Sequence, residues 1–227
     1  MNKCYVCNEP ATSKEHVPPR CLFPHEKDGV AEKNLRKDLI TVPSCDLHNL
    51  KKSGDDEYLL YILTMHFSSE GVGGNLFATK GFRAIERRPA LMKSFMKNAK
   101  PILMKNAESN ETFETLEIQV DGERVAKVLE YVALGVYKHH FKRTWLGKVE
   151  SQLEFLHFSE EFAPHNSGIL HVKNLSNSIF TNQKKIGENP EVFYYQVFQQ
   201  EDNYSAIIRL IFYGECKTTA VFSDEAG

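Results

Sequence analysis

Long apolar runs are missing from this chain. No stretch approaches the roughly 18 to 20 apolar residues that span a bilayer, and the opening MNKCYVCNEP holds no apolar segment of export-signal length. Membrane insertion is set aside and the compartment reads as cytoplasmic. Net charge is nearly absent too. The formal value of −2 argues against a protein coated in positive charge, as many non-specific nucleic-acid binders are, and leaves only a local basic face open. An even disulfide framework is excluded by five cysteines, three of them within the first 21 residues. Without an export signal such clustering more often means metal than disulfide. No internal repeat and no low-complexity stretch occurs. What is present is ordinary for a globular protein: 227 residues, 41% hydrophobic and 26% charged, enough for one large domain or two small ones around a sizeable core.

Residues 1 to about 52 are rich in turn-formers, with Pro10, Pro18, Pro19, Pro24 and Pro43, and carry four of the five cysteines. Within this segment DLITV (38–42) reads as a strand and KEHV (14–17) as its partner, halted by Pro18. After Ser53 and Gly54 the pattern changes. Leu59, Leu60, Leu63 and Phe67 recur at helical spacing over about 55–68, with Asp55, Asp56 and Glu57 at the positive end of the helix dipole. GVGGN (71–75) breaks that helix, and a basic helix follows over 83–99, interrupted or started at Pro89. The strongest helix spans about 123–142, where Val125, Val128, Leu129, Val132 and Val136 form one apolar stripe. It should pack on a sheet, for which the candidate strands are 113–120, 168–175, 192–199, 204–214 and 217–222, all rich in β-branched or aromatic residues. The fold class expected is α+β: a metal-braced module over 1–68, then a region over 69–227 with helices on a mainly antiparallel sheet.

Two short pairs carry the metal chemistry. Cys4-x-x-Cys7 lets two thiolates reach one ion while the intervening backbone turns, and Cys45-x-x-His48 repeats the spacing about 40 residues later. Together they complete the four-ligand, closed set of a structural zinc. The competing reading makes Cys4 and Cys7 free thiols near a terminus, Cys45 a small buried residue and His48 a surface side chain. A module of this size with few large apolar side chains favours zinc, which supplies ~10 kcal/mol or more of folding free energy in small zinc modules. Cys21 has no partner at ligand spacing and should pack.

Between the pairs lies EHVPP (15–19). On an extended segment Glu15 and His16 point to opposite sides and serve different partners. Alone, such a pair is more often a surface carboxylate and a satisfied imidazole. The whole order, Cys4-x-x-Cys7, Glu15-His16-Val17-Pro18, a strand, then Cys45-x-x-His48-Asn49-x-x-Lys52, resembles the HNH endonuclease family and its ββα-metal fold, over about residues 4–57. The resemblance implies His16 as general base on a water attacking a phosphodiester, a role that imidazole fits because its pKa lies near neutrality. It further implies that Glu15 and Asn49 hold one divalent cation, magnesium or manganese, with Asn49 also able to orient the histidine, and that Lys52 contacts phosphate. Three positions depart from the family pattern: His48 stands where cysteine is common, Lys52 where the last histidine of the name falls, and Glu15 where aspartate is usual. HNH nucleases of this size occur in phage defence, toxins and mobile elements, and the resemblance does not choose among them.

The expected function is thus a metal-dependent endonuclease acting on nucleic acid, with DNA first. The alternative is a non-catalytic zinc-containing factor that binds nucleic acid or protein, with a purely structural scaffold third. Outside the resemblance, 55–58 (DDEY) could ligate a metal but reads better as capping and dipole compensation, whereas His139 and His140 serve equally as a basic helix end or as a nucleic-acid contact. Arg83, Arg87, Arg88, Lys93, Lys97 and Lys100 against one Glu86 form a candidate phosphate-facing surface, the alternative being a simple solvated helix face. The region 69–227 carries no activity of its own in this reading, only a possible surface for target or protein partner.

Overall fold

The computed structural model describes residues 3–49, 53–66, 71–81, 83, 87–105, 110–158, 164–199 and 204–224. In chain order these form β1 (Ser13–His16), β2 (Thr41–Ser44), α1 (Asp46–Asn49), α2 (Ser53–Met65), α3 (Val72–Leu76), α4 (Pro89–Met96), β3 (Lys100–Lys105), β4 (Thr112–Glu117), α5 (Gly122–Phe141), β5 (Lys148–Leu153), α6 (Pro164–Phe180), β6 (Ile186–Asn189), β7 (Phe193–Gln199), β8 (Ala206–Phe212) and β9 (Cys216–Ser223). The class is α+β, as expected.

β1 and β2 pair antiparallel with Glu15 opposite Val42 and His16 opposite Thr41. The strand expected at 38–42 thus starts three residues later. Asp38 takes a positive φ of 52° in the preceding turn, and Ile40 still accepts from the Val17 amide at 3.0 Å, just past the ladder. Pro43, which has no N–H to give, turns its carbonyl outward to Tyr5 N at 2.9 Å.

The main sheet runs β5-β9-β8-β7-β6, antiparallel throughout. α5 covers one face. Tyr137 stacks on Phe222 with ring centroids 4.8 Å apart, and the expected stripe of Val125, Val128, Leu129, Val132 and Val136 is buried. Asp121 caps this helix by accepting from Arg124 N at 3.0 Å. α6 covers the other face over an unusual polar layer. Arg209 on β8 pairs with Glu154, both nearly fully buried, Thr219 donates to Glu154 and contacts Ser176 of α6, and Gln196 donates to the Phe180 carbonyl.

Two expectations are corrected. Residues 168–175 are not a strand but the middle of α6, because Ile169, Ser176 and Phe180, the buried positions, recur at seven and four residues, a helical face that the apolar composition concealed. Of residues 113–120 only 113–117 are strand, within β4, and among the described residues β4 pairs only with β3 in a separate two-stranded ribbon. β3, β5 and β6 were not expected. They are short, and β3 and β5 are polar or exposed at alternate positions. Within the expected basic helix, residues 83 and 87 are helical and α4 runs from Pro89, with proline at its first position.

The hydrophobic core is continuous across the expected boundary near residue 68: Tyr5, Leu22, Val42 and Leu63 belong to one cluster with Leu129, Val136 and Phe222. Polar ties support it. Tyr213 donates to the Leu22 carbonyl at 2.7 Å, Asn189 to the Lys37 carbonyl at 3.0 Å, and Thr144 to the Cys4 carbonyl at 3.1 Å. No described helix is long and apolar enough to cross a membrane.

Candidate metal centre

Cys4 and Cys7 sit on a tight turn closed by Cys4 N donating to the Glu9 carbonyl at 2.9 Å. Cys45 ends the run out of β2, and its carbonyl accepts from His48 N and Asn49 N at 3.1 and 3.0 Å, so one turn of α1 brings His48 back over Cys45. Because β2 lies against β1 and its Pro43 carbonyl holds Tyr5, the two pairs meet. Cys4, Cys7, Cys45 and His48 place their ligand atoms within 4.8 Å of one another.

The spacings within this group match one ion. A tetrahedral zinc with Zn–S about 2.3 Å and Zn–N about 2.0 Å sets S···S edges at about 3.8 Å and S···N edges at about 3.5 Å. Cys7 and Cys45 sulfurs are 3.9 Å apart, and His48 Nδ1 lies 3.6, 3.6 and 3.2 Å from the sulfurs of Cys4, Cys7 and Cys45. These four residues lie close enough to hold a metal such as zinc.

The surroundings suit thiolate ligands. Burial raises the Cys4 pKa, but the backbone N–H groups of Val6, Cys45 and Cys7 directed at its sulfur outweigh that and leave it lowered. Burial pushes the Cys7 thiol up to about 11, so it becomes a ligand when a cation displaces its proton. On the far side the His48 ring tilts against Tyr131 of α5 at 6.1 Å, which fixes the imidazole from the body of the fold.

β1 carries the other expected residues. Glu15 and His16 line a small cleft with Tyr5, Val17, Pro19, Asp56, Val128, Tyr131 and Val132. Burial, then Arg20 and Arg36, lower the His16 pKa and hold its neutral form at physiological pH. Asn49 donates through Nδ2 to Ser13 Oγ at 2.8 Å, three residues before His16 on the same strand, leaving its Oδ1 as the atom with ligand capacity. Lys52 lies outside the described residues.

Of the acidic run 55–58, read from the sequence as compensating the helix dipole rather than ligating, Asp56 joins Glu15 in the cleft, while Asp55 pairs with Arg124 at 2.7 Å, and Glu57 with Arg88 at 2.8 Å and the Tyr61 hydroxyl at 3.0 Å. Arg36 stands near His16 because its Nε donates to the Phe23 carbonyl at 2.9 Å. No local spacing signals either arrangement. His140 contacts the Tyr195 hydroxyl at 3.4 Å and Arg143 lies over the Tyr204 ring at 3.7 Å, so the basic end of α5 is tied into the sheet region. Cys21 packs as expected, and burial pushes its thiol up to about 12.

No family model matches the chain, and neither the curated proteins nor the solved structures yield a match.

Proposed function

We propose that this chain is a metal-dependent endonuclease of HNH type that hydrolyses phosphodiester bonds, with DNA as its target. The observation that carries this reading is a juxtaposition. A Cys3His cluster of zinc dimensions braces a two-stranded hairpin whose first strand ends in Glu15 and His16, and the helix turn bearing His48 delivers Asn49 to that same strand. In this reading the four-ligand cluster holds a structural zinc that sets the hairpin against α1.

His16, kept neutral, takes the proton of the attacking water as the new P–O bond forms. Glu15 and the Asn49 carbonyl oxygen are the hard donors for a divalent cation, magnesium or manganese, which when bound neutralises charge on the phosphate and the leaving oxygen. Asn49 also holds Ser13 and thereby the strand that presents His16. Lys52 is assigned to a phosphate contact.

The test is incubation of the zinc-loaded protein with supercoiled plasmid and magnesium or manganese. Wild type should nick, and His16→Ala should lose about 10²-fold or more of the rate. Absence of nicking, or equal nicking by the variant, sinks the assignment. A second reading, a non-catalytic factor that binds nucleic acid or protein through the zinc module or the C-terminal region, draws support from the narrowness of the cleft that Glu15 shares with Asp56 and two tyrosines. Nucleic-acid binding without cleavage, unchanged in Glu15→Ala and lost on zinc removal, would select it.

A further inference from the structure

Beside His16 the fold gathers positive charge from distant parts of the chain. Arg20 lies in the 3₁₀ turn Arg20–Leu22, exposed, and both it and Arg36 act electrostatically on His16. Arg36 is fixed by donating Nε to the Phe23 carbonyl at 2.9 Å, and Asn34 Oδ1 accepts its backbone N–H at 2.9 Å, which shapes the turn that delivers it. Lys80, from the turn Phe77–Gly81, reaches in to donate Nζ to the Cys21 carbonyl at 3.1 Å and also feels Arg36. Carbonyls two residues apart thus anchor two cations next to a third.

Bringing like charges together opposes folding unless an anion offsets it. Among the described residues none of the three forms a salt bridge. Asp28 is the carboxylate that acts on both Arg36 and Lys80, and its Oδ2 already accepts from His25 N at 2.8 Å. Glu57, which acts on Lys80, is held by Arg88 at 2.8 Å. Burial first, then Arg20 for Arg36 and Arg36 for Lys80, lower the pKa of these two groups, while Asp28 acts in the opposite sense on both. The neighbouring Cys21 thiol, pushed up to about 12, is neutral at physiological pH and supplies no anion.

We infer that Arg20, Arg36 and Lys80 form a phosphate-binding subsite beside His16, built to take one phosphate of a nucleic-acid strand. It rests on His16 being the reacting residue only for its role in turnover; as an anion site it stands on the cluster itself. Arg36 and Lys80 are set in place by the two carbonyls before any ligand arrives, and the guanidinium of Arg20 closes on the phosphate oxygens from the open side. Two planar forks and one ammonium suit a tetrahedral dianion or a phosphodiester better than a carboxylate.

The experiment is calorimetric titration of inorganic phosphate into the zinc-loaded full chain without magnesium or manganese. Wild type should bind one phosphate saturably, and Arg20→Gln should weaken it about tenfold or more, with zinc content and melting temperature as in wild type. Arg36→Lys, which keeps charge but not the fork, should lie between. No saturable binding, or binding unaltered in Arg20→Gln, overturns the proposal. The nuclease reading is tested separately by plasmid nicking. Phosphate binding without nicking keeps the subsite and removes the nuclease, whereas nicking with KM unchanged in Arg20→Gln removes the subsite and keeps the nuclease.

Discussion

His48 and Asn49 are adjacent in sequence and divided in task. The turn of α1 points His48 Nδ1 at three sulfurs and Asn49 Nδ2 at Ser13 on β1. Replacing the first removes a ligand from a closed cluster, and replacing the second removes one part-buried hydrogen bond, a loss of about 1 kcal/mol. His48→Ala should therefore lose bound zinc by elemental analysis and melt at markedly lower temperature. Asn49→Ala should retain one zinc per chain and melt within about 2 to 4 °C of wild type, yet fail to nick plasmid. Retention of zinc by His48→Ala, or full activity in Asn49→Ala, would contradict this division.

At the scale of elements, α5 seats β1. A Cβ placed on Gly135 would lie 2.5 and 2.8 Å from the Val17 methyl carbons, closer than any relaxed contact, and Val17 follows His16 directly. Gly135→Ala should destabilise the fold by about 1 to 3 kcal/mol, measurable by urea denaturation. It should also depress nicking by displacing His16, although residue 135 touches no site group. Stability equal to wild type would show that β1 yields without cost. α5 was readable in advance because the apolar stripe from Val125 to Val136 follows the helical period over about three turns. α6 was not, because Ile169, Leu170, Val172 and Leu175 give 168–175 the composition of a strand, and the helix is selected by burial of Ile169, Ser176 and Phe180 against the sheet. In the site, each ligand pair was visible from its spacing, and the order Glu15–His16 from its place between them. Asp56 was marked only as one of the acidic run 55–58, read as compensating the helix dipole, and Arg20, Arg36 and Lys80 carried no mark at all.

For the molecule as a whole, acid should be destabilising. Burial lowers the pKa of His16, His66, His139, His140 and His157. A histidine held below its unfolded value of about 6.5 stays neutral in the fold and gains a proton on unfolding. Its contribution to stability is complete above about pH 6.5 and is lost as pH falls. His66 is packed beneath Phe155, whose carbonyl its Nε2 meets at 3.0 Å, and His157 and Lys173 add positive charge nearby. Melting temperature should fall between pH 7.5 and 5.5, and His66→Gln should show a shallower fall. An unchanged slope in that variant would place the acid sensitivity elsewhere, the thiolate cluster being the first alternative.

By itself the sequence determined what depends on near neighbours: two ligand pairs at a spacing that one turn of backbone satisfies, an amphipathic helix, and three antiparallel strands at the C-terminal end. These follow from side-chain period and local backbone geometry, which a few consecutive residues specify. Only the tertiary structure decided that the pairs close on one another across sequence separations of 38 to 44 residues, that residues 168–175 are helical, and that Arg36 and Lys80 converge on the turn after His16. Those outcomes depend on burial and on which carbonyls are left to accept, and both are set by segments far apart in the chain.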